Sequence, residues 1–217
     1  MEREFAIAIV GGTGNLGTAL ALRLAAPGVK VIIGSRDREK ARTVVESLEP
    51  KIRHGKIEGQ ANRDAVQGAE FVVIAVPYEG HATMVADLKG QLGGKIVIDA
   101  VVPLRKGRPF VPPAGSALQE AQEILGSEAP VVGALHNISA VDLEDPDSSL
   151  GDVLVCGDDA AAKQRVLKIV KRIGARSFDA GPASHAYVIE GLTGVLIYLN
   201  RRHKSKHASV RVTGIAD

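Results

Sequence analysis

The stretch Phe5-Ala6-Ile7-Ala8-Ile9-Val10-Gly11-Gly12-Thr13-Gly14-Asn15-Leu16-Gly17 decides how this chain folds. Its first six residues are apolar without interruption, as in a strand covered on both faces. Gly12, Gly14 and Gly17 then stand in the spacing G-x-G-x-x-G. Leu16, Ala19, Leu20, Arg23 and Leu24 follow at helical intervals, four of the five apolar, so a helix is expected over residues 15–26. A strand that runs through such a turn into a helix forms a phosphate-binding unit. Gly12 permits the tight turn and Gly14 lets a pyrophosphate approach the backbone. Gly17 lets helix and strand pack closely, and the helix N-terminus turns free N–H groups toward the anion. The motif alone is weak, and a bare glycine-rich turn is the alternative. Its place at the start of a strand–helix unit strengthens the dinucleotide reading.

The next strand indicates which dinucleotide. An NAD-selective site places an acid at the end of that strand to bind the ribose hydroxyls. Here residues 29–33 run into Gly34-Ser35-Arg36, and Lys40 follows about one helical turn later. A hydroxyl and two cations suit a 2′-phosphate, with Arg36 able to bind it through its planar fork. Asp37 comes one residue late and is flanked by Arg36 and Arg38. NADP is expected over NAD; an ordinary basic loop is the competing interpretation.

Outward from these two turns the chain alternates. Short apolar, β-branched runs fall at 5–10, 29–33, 71–76, 96–101 and 131–135, with weaker ones at 153–156 and 176–179. Helical stripes occupy 15–26, 39–48 and 160–173. Such alternation predicts an α/β fold of Rossmann type, a doubly wound, mostly parallel sheet with right-handed crossovers. After the turn Asp179-Ala180-Gly181-Pro182 a long helix is expected to about Lys206. The expected division is therefore a nucleotide-binding domain over 1–180 and a small helical unit over 181–217 that closes the substrate cleft. At 217 residues, 45% apolar and only 3% aromatic, the core must be mostly Val, Ile, Leu and Ala. A net charge of +2 is too mild to imply nucleic acid. The single cysteine, Cys156, excludes an internal disulfide framework and a cysteine-based zinc site. The opening MEREFAIAIVGG does not have the pattern of a signal peptide, and the apolar stretch 188–199 falls short of the ~20 residues a bilayer requires. A cytoplasmic protein with no membrane partner is expected.

The motifs GGTGNLG, GSRDREKA, AVPYEGH, GALHNISA, CGDD and DAGP, spread over most of the chain, together resemble the NADPH-dependent reductases of the deazaflavin coenzyme F-420. That resemblance implies hydride transfer between NADP(H) and coenzyme F-420, with small-molecule partners; a homo-oligomer is expected. It places Thr13, Gly14, Asn15 and Leu16 at the pyrophosphate, and Ser35, Arg36 and Lys40 at the 2′-phosphate. Val76, Pro77 and Tyr78 would border the ribose and nicotinamide. The segment from His136 through Ile138 to Ala140 would line the cleft where the two rings stack. Such chemistry asks little of side chains, because the cofactors carry the hard step and the protein aligns the rings and excludes water. A reductase of another acceptor, such as a flavin or a ferric chelate, and a non-catalytic NADP sensor are the competing functions.

Several single residues have two readings each. His136 is either a hydrogen-bond donor to the deazaflavin or a structural histidine. His81 is expected to cap a helix, with a place near the cofactor as the alternative. Cys156 reads as a small buried hydrophobe. Asp158 and Asp159 read as caps of the helix starting at Ala160, not as metal ligands, and no metal is expected. The basic run Arg201-Arg202-His203-Lys204-Ser205-Lys206-His207 is either a solvated helix end favoured by the dipole or an attractor for the anionic tail of the deazaflavin.

Overall fold

The computed structural model describes residues 5–25 and 28–215, so the opening segment 1–4, the expected helix end at Ala26 and residues 216–217 lie outside the described residues. In chain order, β1 (Phe5–Val10), α1 (Asn15–Leu24), β2 (Val29–Ser35), α2 (Arg38–Leu48), β3 (Lys56–Ala61), α3 (Asn62–Gln67), β4 (Phe71–Ile74), α4 (His81–Leu92) and β5 (Ile96–Asp99) build the first part. A small hairpin, β6 (Leu104–Arg105) and β7 (Arg108–Pro109), precedes α5 (Ala117–Leu125), β8 (Val131–Gly133) and α6 (Ala140–Glu144). The chain closes with β9 (Val153–Val155), α7 (Ala160–Arg172), β10 (Ser177–Asp179) and α8 (Ala186–Arg202).

Six strands form one parallel sheet in the order β3-β2-β1-β4-β5-β8. This is the doubly wound arrangement expected from the sequence, with the reversal of strand order between β1 and β4. Side chains alternate faces along each strand. Ile7, Ile9, Val31, Ile33, Val73 and Ile98 pack on one face with α1, α2 and α7. Ala8, Val10, Ile32, Val72, Ile74 and Val97 pack on the other with α3, α4, α5 and α8. Complete burial of each valine or isoleucine among them stabilises the fold by roughly 1.5–3 kcal/mol.

Three differences from the sequence expectation have physical causes. First, β3 was not expected. Its sequence KIEGQA holds a single buried apolar side chain, Ile57, because β3 is an edge strand with charged residues at its solvent face. Second, the two weaker strands leave the main sheet. β9 and β10 pair in parallel as a separate two-stranded sheet, joined to the edge of β8 by an antiparallel bridge between Gly133 and Cys156. Both bridge hydrogen bonds form, Gly133 N–H to Cys156 O at 2.8 Å and Cys156 N–H to Gly133 O at 3.0 Å. Third, α8 ends at Arg202 and not near Lys206. Lys204 takes a left-handed conformation (φ 50°) and Ser205 N–H bonds back to Asn200 O at 2.9 Å, which turns the chain. The segment then returns along the small sheet, where Asp152 N–H donates to Val210 O at 2.8 Å. Among the described residues no helix is long and apolar enough to cross a membrane.

Candidate functional site: a cleft at the carboxyl end of the sheet

The first turn has the geometry its glycines require. Gly11 has φ +72°, and a Cβ there would lie 2.6 Å from Val76 Cγ1 and 2.9 Å from Ala75 O. A Cβ on Gly17 would lie 2.5 Å from Gly12 Cα, so α1 rests backbone to backbone on the turn. At Gly14, by contrast, a Cβ would meet only Gly11 O at 3.7 Å, so the turn is open on that side. Gly14 is also the N-cap of α1, with no side chain capping the helix and no acid in its first turn. The N–H groups at this end are thus left for an anion.

Beyond the turn lies a cleft of about 750 Å³. Of the residues expected at the site, Thr13, Gly14, Ser35, Arg36 and Lys40 line it, and so do Val76 and Pro77 on the β4 side. Asn15 is exposed at the head of α1, and Leu16 is half-buried against the core. Gly12 and Gly17 form the packed floor of the turn. The side chain of Ser35 is engaged with the backbone, accepting from Asp37 N–H at 3.2 Å. Asp37 itself caps α2, its carboxylate accepting from Glu39 and Lys40 N–H, which explains an acid in that loop without any ligand role. The cleft also contains Asn62, at the head of α3, which sequence reasoning missed because a single asparagine after an unexpected strand gives no pattern.

The other expected residues sit elsewhere. The Tyr78 hydroxyl donates to Glu120 Oε1 at 3.2 Å and its ring meets Phe110 edge-on at 5.3 Å, while the cleft is lined by its neighbours Pro77 and Gly80. Burial pushes the Tyr78 phenol up to about 12, with the Glu120 carboxylate adding to the effect. Ala140 begins α6, beside a separate shallow hollow shared with Asn200 and Lys206. His136 and Ile138 follow the left-handed, buried Leu135 (φ 69°) at the end of β8. The backbone there is tied to α8: Thr193 Oγ1 donates to His136 O at 2.9 Å, and Asn137 Nδ2 donates to Ile189 O at 3.0 Å. Both ring nitrogens of His136 are buried with no hydrogen-bond partner among the described residues, and burial holds the ring down at about 4. It is neutral at pH 7.

The His81 side chain does not cap α4. The N-cap of α4 is Gly80, and the His81 ring is fully buried beneath the helix. Its Nε2 bonds Asp99 Oδ2 at 2.7 Å and its Nδ1 bonds Glu120 Oε2 at 3.0 Å. An acidic side chain on each nitrogen favours hydrogen on both, the imidazolium form. Burial opposes that charge, but the bonds and charges of Asp99 and Glu120 outweigh it and raise His81 to about 9. Asp99 also accepts from Val101 N–H at 2.9 Å. Nearby, Glu190 of α8 accepts from Ala117 and Leu118 N–H at the head of α5, yet burial pushes it up to about 8. One signal in the sequence could have pointed here: Asp99 closes the otherwise apolar strand IVID, where an unpaired acid would be costly.

Cys156 is buried, with its thiol pushed up to about 12 by burial. Asp159 caps α7 through Ala162 N–H, whereas Asp158 does not cap it and accepts from Ala183 N–H at 2.9 Å. In the basic run, Arg201 and Arg202 close α8, and His207 Nδ1 meets Asp142 Oδ1 at 2.5 Å.

The buried ionisable groups predict a pH dependence. A histidine raised in the fold from 6.5 to about 9 contributes stability that is complete below pH 6.5 and is lost as pH rises through 9. Glu190, raised from 4.5 to about 8, adds a loss over that interval. His136, lowered to about 4, acts oppositely but only below pH 6.5. Melting temperature should therefore fall from pH 6.5 to 9, by about 2–4 °C for each kcal/mol lost. His81→Gln should flatten the decline between pH 8 and 9. A melting temperature that is constant or rising over this range in the unmodified protein would contradict the charged triad.

Comparison with known proteins agrees with this geometry. The sequence profile described as "NADP oxidoreductase coenzyme F420-dependent" matches residues 6–103. A curated F420-dependent NADP reductase of Methanocaldococcus jannaschii is 38% identical over 96% of this chain and 98% of its own. That of Methanothermobacter marburgensis is 36% identical over 97% of this chain and 99% of its own. A crystal structure from Arthrobacter sp. FB24, provisionally described as an F420-dependent NADP reductase, superposes with a TM-score of 0.82 at 30% identity, covering 95% of this chain and 98% of that one. With near full-length similarity of this degree, the chain belongs to the family of F420-dependent NADP reductases.

Proposed function

We propose that this protein is an oxidoreductase that moves a hydride between NADP(H) and the deazaflavin coenzyme F-420. The observation that carries the nucleotide half is the cleft that joins the open turn at Gly14 to the cations Arg36 and Lys40. The residues present fit the cofactor. The unoccluded N-terminus of α1, with Thr13, Gly14, Asn15 and Leu16, would take the diphosphate, and Ser35, Arg36 and Lys40 would take the 2′-phosphate. Val76 and Pro77 would border the ribose and nicotinamide, with Tyr78 supporting that loop from behind. When bound, the nicotinamide and deazaflavin rings supply the redox chemistry between them. The protein's task is then to bind, orient and shield, and good alignment is worth roughly 7–11 kcal/mol of barrier.

On the acceptor side, the reading assigns the segment from His136 through Ile138 to Ala140. The neutral, buried ring of His136 has an N–H to donate and no partner among the described residues, which supports a contact with the second substrate. The unit 181–217 would close this side, held there by the bonds from Asn137 and Thr193. A second copy of the chain is the expected protein partner, supported by Tyr187, Val188, Val195 and Tyr198, which α8 leaves exposed.

Three outcomes are expected. Arg36→Ala should weaken NADPH binding by tenfold or more, the equivalent of about one charge-assisted hydrogen bond, while NADH binding is nearly unchanged; equal loss for both would remove Arg36 from the 2′-phosphate. Deuterium from C4-labelled NADPH should appear in the reduced deazaflavin from one face only. Rapid reduction of flavin or ferric chelates without deazaflavin reduction would overturn the acceptor and leave the nucleotide site intact. Light scattering should give a mass of at least twice 22.7 kDa, and a strict monomer would refute the assembly.

A further inference from the structure

We infer that Asn62 holds the ribose–diphosphate portion of the dinucleotide, the part NADP shares with NAD; this rests on the reading of the cleft as a dinucleotide site. Asn62 opens α3, is 7% exposed and lines the cleft. Its position is narrowly defined. Oδ1 accepts from Gly11 N–H at 3.5 Å, and a Cβ on Gly34 would lie only 2.7 Å from that oxygen. Asn62 thus stands between the phosphate turn after β1 and the end of β2, which carries the 2′-phosphate candidates. Because the Gly11 N–H needs an acceptor, the amide oxygen faces the turn and the nitrogen faces away from it.

That nitrogen is underused. Among the described residues its one partner is Met84 Sδ at 3.6 Å. A thioether is a weak acceptor, and a buried amide with two N–H groups ordinarily finds better ones. Met84 lines the same cleft, so the unspent donor lies where a bound dinucleotide would offer oxygens. The amide is neutral, and Arg36 and Lys40 already provide cations for the phosphate that distinguishes NADP. Its complement is therefore a ribose hydroxyl or diphosphate oxygen. Asn62 would couple the nucleotide to the Gly11 turn through a single side chain.

The test uses the full chain and titration calorimetry with NADPH and with NADH. Asn62→Asp keeps the size of the side chain and an acceptor for Gly11 N–H, but removes both donors and adds a negative charge. The dissociation constants of both nucleotides should rise by the same factor, about tenfold or more, with the melting temperature of the free protein close to wild type. Asn62→Ala should show the same parallel loss, and it serves should the aspartate variant fail to fold. Arg36→Ala in the same assay should affect NADPH alone. Unchanged affinity in both Asn62 variants would overturn the inference, and so would a loss confined to NADPH, which would make Asn62 a 2′-phosphate contact. If the wild-type protein binds neither nucleotide, the reading of the cleft fails and this inference falls with it.

Discussion

The backbone of Gly17 lies against the backbone of Gly12, with no room for a side chain between them. The nucleotide end of the molecule depends on this contact. It draws the head of α1 onto the end of β1, so that the helix N-terminus and the open side of Gly14 face the same space. Strand order reverses between β1 and β4, and the cleft lies at the carboxyl ends of those strands, between residues of α2 and α4. Gly11 lies against Val76 from across this reversal, so the turn is held from both sides. The cleft is a product of backbone packing first and of side-chain chemistry second.

The buried charges serve a different purpose from those at the rim. His81, Asp99 and Glu120 come from α4, β5 and α5, and their hydrogen bonds fasten three elements together just behind the loop that borders the cleft. A transfer between two cofactor rings requires alignment more than proton traffic, and a fixed scaffold behind that loop suits such a demand. The arrangement is also exacting. Removing His81 or Asp99, which are both fully buried, leaves its partners with unbalanced charge, which is more costly than losing an ion pair at the surface.

What could be read in the sequence follows from how local each feature is. The strands β1, β2, β4, β5 and β8 are visible as apolar runs because both their faces are covered, and the phosphate turn is visible because its glycines fall within six residues of one another. Arg36 and Lys40 could be found from their distance to the end of β2. The edge strand β3 lacked an apolar run, and with it Asn62 went unnoticed. The partners of His81 are 18 and 39 residues away, and nothing near His81 in sequence distinguishes it from a surface histidine at a helix start. Tyr78 was expected to border the ribose and nicotinamide; its engagement with Glu120 depends on the packing of α5, which no local pattern discloses.

The bridge between Gly133 and Cys156 bears on how the chain behaves in a crowded solution. An open sheet ends in two strands whose unpaired backbone groups can recruit strands from other molecules. At one margin, Gly133 spends its N–H and C=O on Cys156, so the β9–β10 pair covers β8 and is itself bordered by the returning segment at Val210. At the other, β3 carries Lys56 and Glu58, with Glu58 paired to Lys30 of the neighbouring strand. One margin is thus shut by pairing and the other guarded by charge. Both margins of a sheet this rich in valine and isoleucine are therefore protected against pairing with strands of other molecules.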